Sequence, residues 1–409
     1  VNLISKFLKS ENAGFKLISI IHDPVARKLI DHSNFDLVID CCELPNEQVN
    51  DDFGKSIDFD FEINRDRKLK HEINSKQKLS NFVRLIQEKL SVYSSLEFYG
   101  EISWAFEQVI YKYAQLRGFD YFTPIPLRYI DRRWAFAQGN TEENLIVNLN
   151  NEKNITEYTN TNSPPTYFNE GMKNFQFINT LLRFLRNGFR SNTPDLIPQK
   201  ILLLILKPIL EFFKKNNFKK NKNTKYLFYG FQVRPEASVD YLAPEFIDQS
   251  KVVNEIINNL KENEILILKD HPGETLMWYL FFKIKLLFNN KIVYLKTKSQ
   301  ISDFSDLIDG AITITGTYGG ELSKLGVITV SLKKMFYNFL THSFSATSVE
   351  QSMEIIRNAD KSNLKLNNEE FFSFLTKNSM PGYPYYTNNH KFSDSYYISN
   401  FSSFILNRN

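Results

Sequence analysis

Cysteine is nearly missing from this chain. Cys41 and Cys42 are the two in 409 residues, and they are adjacent. Neighbouring cysteines seldom bridge, so a disulfide framework is excluded and a reducing cytoplasm is the expected setting. Cys and His show no zinc-ligand spacing, and no metal site is expected. Glycine is scarce at 15 residues. There is no Gly-x-Gly-x-x-Gly fingerprint, no Gly-x-Ser-x-Gly elbow and no P-loop. Long apolar runs are lacking too. The longest, Ile201 to Phe213, is interrupted by Lys207 and Pro208 and falls short of the ~20 residues a membrane span needs. No leader segment is read at the start. Charge of one sign is not in excess: 50 basic against 46 acidic residues leave +4, too little to imply a nucleic-acid partner.

What the chain does have is core material. Apolar residues are 42% and charged residues 23%, a globular mix, and the length exceeds what one core usually serves. Two α/β domains are expected. Residues 1–150 form the first, with strands at 15–21, 35–40 and 121–125, a helix over 76–93 and a second helix opened by Glu101, carrying one apolar stripe of Ile102, Ala105, Phe106, Val109, Ile110 and Tyr113, and closed by Gly118. A hairpin turns at Asp131-Arg132, and residues 45–75 read as an irregular excursion. Residues 151–225 read as a linker. It carries a Ser163-Pro164-Pro165 boundary, two helix candidates within 171–214 and a basic run, Lys214 to Lys225. That run is a solvated linker or, with the amphipathic stretch before it (199–225 together), a membrane-docking patch.

Residues 226–345 alternate cleanly. Strands are expected at 226–232, 264–268, 291–295, 310–314 and 327–332, with helices at 245–260, 274–287, near 300–307 and at 319–325, a doubly wound sheet. Residues 346–409 read as a helical tail with an aromatic stretch, Gly-Tyr-Pro-Tyr-Tyr, packing back on the first domain.

Ligands of open α/β sheets sit beyond the carboxyl ends of the strands. Three loops of the second domain fall there. Thr315-Gly316-Thr317-Tyr318-Gly319-Gly320-Glu321 has small residues that let backbone N–H groups approach a phosphate at a helix start, with Glu321 placed for ribose hydroxyls. Lys269-Asp270-His271-Pro272 offers a cation and a histidine able to donate to an anion or move a proton; a helix-capping role for His271 fits the Pro272-Gly273 that follows. Gln232-Val233-Arg234-Pro235-Glu236 offers a guanidinium fork for a carboxylate or phosphate. Glu236 and Asp240 are nearby carboxylates, for a nucleophile or base at an anomeric carbon or for a surface ion pair with Arg234. In the first domain, Tyr99-Gly100-Glu101 and His22-Asp23 lie at strand ends, with structural roles for the latter. Asp58-Phe59-Asp60 reads as solvated surface.

The order Gly-Glu before a helix, Arg-Pro-Glu-Ala-Ser, Asp-His-Pro, then Thr-Gly-Thr-x-Gly resembles the bacterial capsule polysaccharide biosynthesis family, which includes retaining β-Kdo transferases. The similarity covers about residues 95–135 and 226–335. Members more often read Gln-Pro-Glu where this chain has Arg234-Pro235-Glu236. The resemblance implies a GT-B architecture, two Rossmann-like doubly wound domains facing a central cleft. It implies a CMP-activated ulosonic acid as donor substrate, no metal and no cofactor. Thr315, Gly316, Thr317 and Glu321 would hold the nucleotide. His271 would sit by the donor phosphate or carboxylate, Glu236 or Asp240 near the anomeric carbon, and Glu101 would be the acceptor's base. Gln232, Arg234, Lys269 and Gly319 complete the candidate donor set, Arg234 on the donor carboxylate. The expected partners are the nucleotide sugar and a glycan or lipid-linked glycan acceptor, in the cytoplasm or at the inner membrane surface. A UDP-sugar transferase or epimerase on the same architecture, and a non-catalytic membrane-associated protein, are the alternatives.

Overall fold

The structure is a computed structural model. It describes residues 2–11, 14–21, 24–41, 52–66, 69–72, 74–130, 133–146, 209–234, 236–271, 280–360, 363–382 and 395–408. His22-Asp23, the turn at Asp131-Arg132, the proline-rich boundary, nearly all of the 171–214 helix candidates, Pro235, Pro272-Gly273 and most of the Gly-Tyr-Pro-Tyr-Tyr stretch lie outside the described residues. The chain divides into two compact units, residues 1–160 with 375–409, and residues 161–374. The fold class is α/β.

In the first unit, β1 (Ile18–Ile21) and β2 (Leu37–Asp40) pair in parallel. A four-stranded sheet runs β12-β5-β4-β3, built from β3 (Glu97–Tyr99), β4 (Asp120–Pro126), β5 (Arg133–Gln138) and β12 (Met380–Pro381). β3 and β4 are parallel and joined by the helix Ala105–Arg117; β4 and β5 are antiparallel. Gly118 ends that helix at φ 68°, the left-handed turn a glycine adopts without strain, and its N–H reaches back to the carbonyls of Ala114 and Gln115. The helix Ser395–Leu406 lays Phe401, Phe404 and Ile405 against Phe122, Trp134 and Phe136.

Two expectations for this unit need correction. Residues 45–75 are not irregular throughout: helices span Asp52–Lys55 and Phe59–Arg65, and a 3-10 turn spans Leu69–His71. Asp58 caps the second by accepting from the Phe61 N–H at 3.0 Å, and the buried Glu62 and Arg65 hide its inward face behind charged letters. The helix before Gly118 begins at Ala105, not at Glu101. Ile102 is buried from the preceding loop, so its place in the apolar stripe did not come from helical phase.

In the second unit, six parallel strands run β11-β10-β9-β6-β7-β8. They are β6 (Lys225–Gly230), β7 (Glu264–Lys269), β8 (Ile292–Leu295), β9 (Gly310–Thr313), β10 (Ile328–Ser331) and β11 (Ser343–Ser345). Counted from β6, this is the Rossmann order 3-2-1-4-5-6, with the reversal between β6 and β9. Alternate residues feed opposite faces, as the pleat requires. Leu227, Tyr229, Leu266 and Leu268 pack under the helices Gln249–Asn259 and Val349–Asn358. Tyr226, Phe228 and Ile267 pack with Leu322 of the helix Tyr318–Lys324 and with Phe304. Both faces being covered explains the continuous apolar runs. The series does not close at residue 332: β11 is a sixth strand, too short and polar to stand out. The helix expected near 300–307 is two 3-10 turns, Ile301–Asp303 and Ser305–Leu307.

Candidate functional site

At the β6/β9 reversal two loops leave the sheet side by side, and they are laced together. The Gln232 side chain, buried at the end of β6, donates from Nε2 to Thr315 Oγ1 at 3.0 Å, and its Oε1 accepts from the Thr315 N–H at 3.1 Å. Thr315 Oγ1 donates in turn to the Ser238 carbonyl at 2.8 Å. Gln249, fully buried, holds the Gln232 backbone from both sides: its Oε1 accepts from the Gln232 N–H at 2.8 Å and its Nε2 donates to the Gln232 carbonyl at 2.9 Å. No buried side-chain polar atom of Gln232, Gln249 or Thr315 is left without a partner, which is the condition for burying them. Gln249 was not singled out from sequence, since a glutamine opening a helix carries no signal of a partner 17 residues earlier.

The glycines of the Thr-Gly-Thr loop make room for the protein's own side chains. A Cβ on Gly316 would lie 2.7 Å from Thr313 Oγ1, and one on Gly319 would lie 2.6 Å from the Tyr337 ring. Tyr337 OH donates to the Gly316 carbonyl at 3.0 Å. Thr317 is half-buried and precedes a helix of only seven residues, on which Glu321 is exposed.

The loop after β6 holds its charges in a fixed arrangement. Asp240 is buried; its Oδ1 accepts from Arg234 Nε at 3.1 Å and its Oδ2 from the Glu236 N–H at 3.2 Å. One carboxylate thus orients both the guanidinium and the turn that carries Glu236. The Glu236 side chain is only half-buried.

At the end of β7 the sequence showed an Asp-His-Pro loop, and the structure adds a buried ionic cluster. Asp270 Oδ1 pairs with Lys283 at 2.7 Å and accepts from Tyr294 OH at 2.8 Å; Oδ2 pairs with Lys214. Lys214 also reaches Glu211 at 2.6 Å, and Glu211 accepts from Thr297 Oγ1 at 2.6 Å. Burial pushes the Asp270 carboxyl up, but the two ammonium groups outweigh it and hold it at about 2. Lys214 is therefore not part of a solvated linker: its side chain is 2% exposed. Nothing in a run of lysines and asparagines distinguishes the one that turns inward.

Lys269, the last residue of β7, is buried with its ammonium 5.9 Å from the Tyr318 ring and 3.4 Å from the Asp270 carbonyl. Burial pushes its pKa down, opposed by the charges of Asp270 and Glu321. Burial also raises the Tyr318 phenol, reinforced by Glu321, Asp270 and Glu236. Carboxylates from all three loops thus act on one aromatic ring. His271 is half-exposed at the start of its loop. Glu101 is exposed in the first unit, in the loop before Ala105, and its carboxylate accepts from Ser103 Oγ. The structure brings Gln232, Thr315 and Gly316 into contact, and Arg234, Glu236 and Asp240 into contact. Lys269 and Glu321 meet through their charges. Glu101 belongs to the other unit. Among the described residues no group of three or more His, Cys, Asp or Glu could hold a metal.

No family model matches the chain, and no curated protein sequence matches it. Among solved structures it is similar to the β-Kdo 2,7 transferase KpsC of Thermosulfurimonas dismutans, at 10% identity over 95% of this chain and 99% of that chain, TM-score 0.38. It is similar to a UDP-GlcNAc 2-epimerase of Methanocaldococcus jannaschii, at 13% identity over 91% and 95%, TM-score 0.29. A third is the wall teichoic acid polymerase TagF, at 10% identity over 99% of this chain and 85% of that chain, TM-score 0.27. Likenesses at these scores decide neither the fold nor the activity.

Proposed function

We propose that this chain is a nucleotide-sugar-dependent glycosyltransferase of GT-B type whose donor is held at the carboxyl edge of the six-stranded sheet. The observation that carries the reading is the reversal of strand order between β6 and β9, where the Gln232 and Thr315 loops meet. Open α/β sheets take their ligands at that point. The nucleotide lies on Thr315, Gly316 and Thr317, with Glu321 toward the ribose. Lys269 and Arg234 supply two separate cations for two separate anions. A CMP-activated ulosonic acid such as Kdo has that pair, a phosphate and a carboxylate, so it is the donor we favour; His271 serves the phosphate. The acceptor is a glycan or lipid-linked glycan of a surface polysaccharide.

In the chemical step a Glu236 oxygen attacks the anomeric carbon as its bond to the phosphate oxygen breaks, and CMP leaves with the bonding pair. An acceptor hydroxyl then displaces Glu236 and gives up its proton to solvent water, with net retention. Asp240, buried and engaged at both oxygens, is the positioning group that aims Arg234 and Glu236.

The test is a melting screen with CMP, UDP and GDP. Saturation at about 100 times Kd stabilises by about 2.7 kcal/mol, several degrees for a unit of this size. A shift with CMP that Gln232→Ala and Lys269→Met lose supports the reading. A shift with UDP alone replaces the donor with a UDP-sugar, in a transferase or an epimerase. No shift with any nucleotide sinks it.

A further inference from the structure

The edge of the second unit beyond β8 carries a patch that the donor site does not use. Residues 209–213 form a helical turn whose Leu210 packs against Leu280, Ile284 and Leu287 of the helix Leu280–Leu287. The chain then runs beside the sheet edge, where the Lys215 N–H donates to the Tyr294 carbonyl at 2.8 Å. The outward sides of these two elements are aromatic. Phe212 is 79% exposed, Phe213 59%, Phe281 85% and Phe288 77%. Phe281 and Lys285, spaced i and i+4, share one helix face, and Phe288 follows in the turn that ends the helix, its N–H donating to the Lys285 carbonyl at 3.3 Å. Phe213, Lys215 and Phe288 line one shallow depression, and Phe212 packs edge-on to Phe213 at 5.6 Å.

Four open phenylalanines on two packed elements are a costly way to meet water, and a contiguous apolar patch marks a contact surface. Its surroundings identify the contact. Lys215, Lys219, Lys222 and Lys285 are exposed, and neither 212–225 nor 280–291 contains an Asp or Glu. A second copy docked by the same face would bring these lysines together with no carboxylate in either segment to neutralise them. A surface of anionic lipid supplies the missing charge and a place for the rings at once. We propose that this face, Phe212, Phe213, Phe281 and Phe288 with Lys215 and Lys285, docks the protein on an anionic membrane surface. The rings enter the headgroup boundary and the lysines meet the lipid phosphates. Among the described residues no helix is long and apolar enough to cross the bilayer, so this contact is peripheral. It stands apart from the donor-site reading, because its test needs no nucleotide.

The experiment is co-sedimentation of the full chain with phosphatidylcholine vesicles and with vesicles containing phosphatidylglycerol. Binding is expected to the anionic vesicles only. It should weaken about fivefold for each of Lys215→Gln and Lys285→Gln and be lost in Phe281→Ser/Phe288→Ser. All four side chains are exposed, so melting temperatures should stay put. Failure to bind anionic vesicles overturns the proposal, as does equal binding to both vesicle types or unchanged binding by the double Phe variant. Concentration-dependent dimerisation that the Phe variant abolishes, without vesicle binding, assigns the face to a second copy instead and also overturns it.

Discussion

Replacing Asp270 by Asn tests the reading of the β7 end most directly. The side chain keeps its size and loses its charge. Lys283, whose side chain is 1% exposed, then has no carboxylate within ion-pair distance among the described residues, its partner at 2.7 Å having been Asp270. Lys214 keeps Glu211 at 2.6 Å. Breaking a buried pair from one side costs about 3–5 kcal/mol. For a unit of roughly 200 residues the loss lowers the melting temperature by about 6–20 °C. The pH dependence has a definite sign. The variant has no carboxyl to protonate at this position, so its deficit against the wild type is full near neutral pH and shrinks in acid, as the wild type loses the pair. In the wild type, Asp270 sits at about 2, below its ordinary 3.8. Its contribution is therefore complete above about pH 4 and fades as pH falls toward 2. Thermal melts of both proteins at pH 7 and 2.5, with Lys283→Met added to the variant, read all of this. A drop under about 3 °C at pH 7, an equal deficit at both pH values, or no recovery with Lys283→Met would refute the argument.

Other outcomes follow from the same geometry. Asp240→Asn should cost about 1–3 kcal/mol, because its buried oxygens hold Arg234 and the Glu236 N–H; Glu236→Gln should leave the melting temperature alone while abolishing sugar transfer, and the reverse pattern would exchange their roles. Gly319→Ala should destabilise by about 1–3 kcal/mol through overpacking, since the new methyl meets the Tyr337 ring at 2.6 Å; an unchanged melt would show that the ring moves aside freely.

Much of the second unit was legible because it is buried on both faces. Segments such as Ile265 to Leu268 and Ile292 to Leu295 are continuous apolar runs between polar loops, and the sheet claims both sides of each pleat. Loop chemistry was legible for the same reason: polar residues gather where a strand ends. What failed was whatever depended on a distant partner. Glu62 and Arg65 fell within a stretch read as irregular because its letters are charged, yet both are buried on a helix. Ile102 fitted a helical stripe by coincidence of spacing.

The sequence by itself determined where five of the second unit's six strands lie, that the unit is α/β, and which loops carry anion-binding and carboxylate groups, because hydrophobic period and loop polarity are local properties. Only the tertiary structure decided that β6 and β9 are neighbours, that Gln232 bonds Thr315 across 83 residues, and that Lys214 turns inward to Asp270. Those outcomes depend on which surfaces meet once the chain is packed, and burial turns an ordinary polar side chain into one that must find its partner.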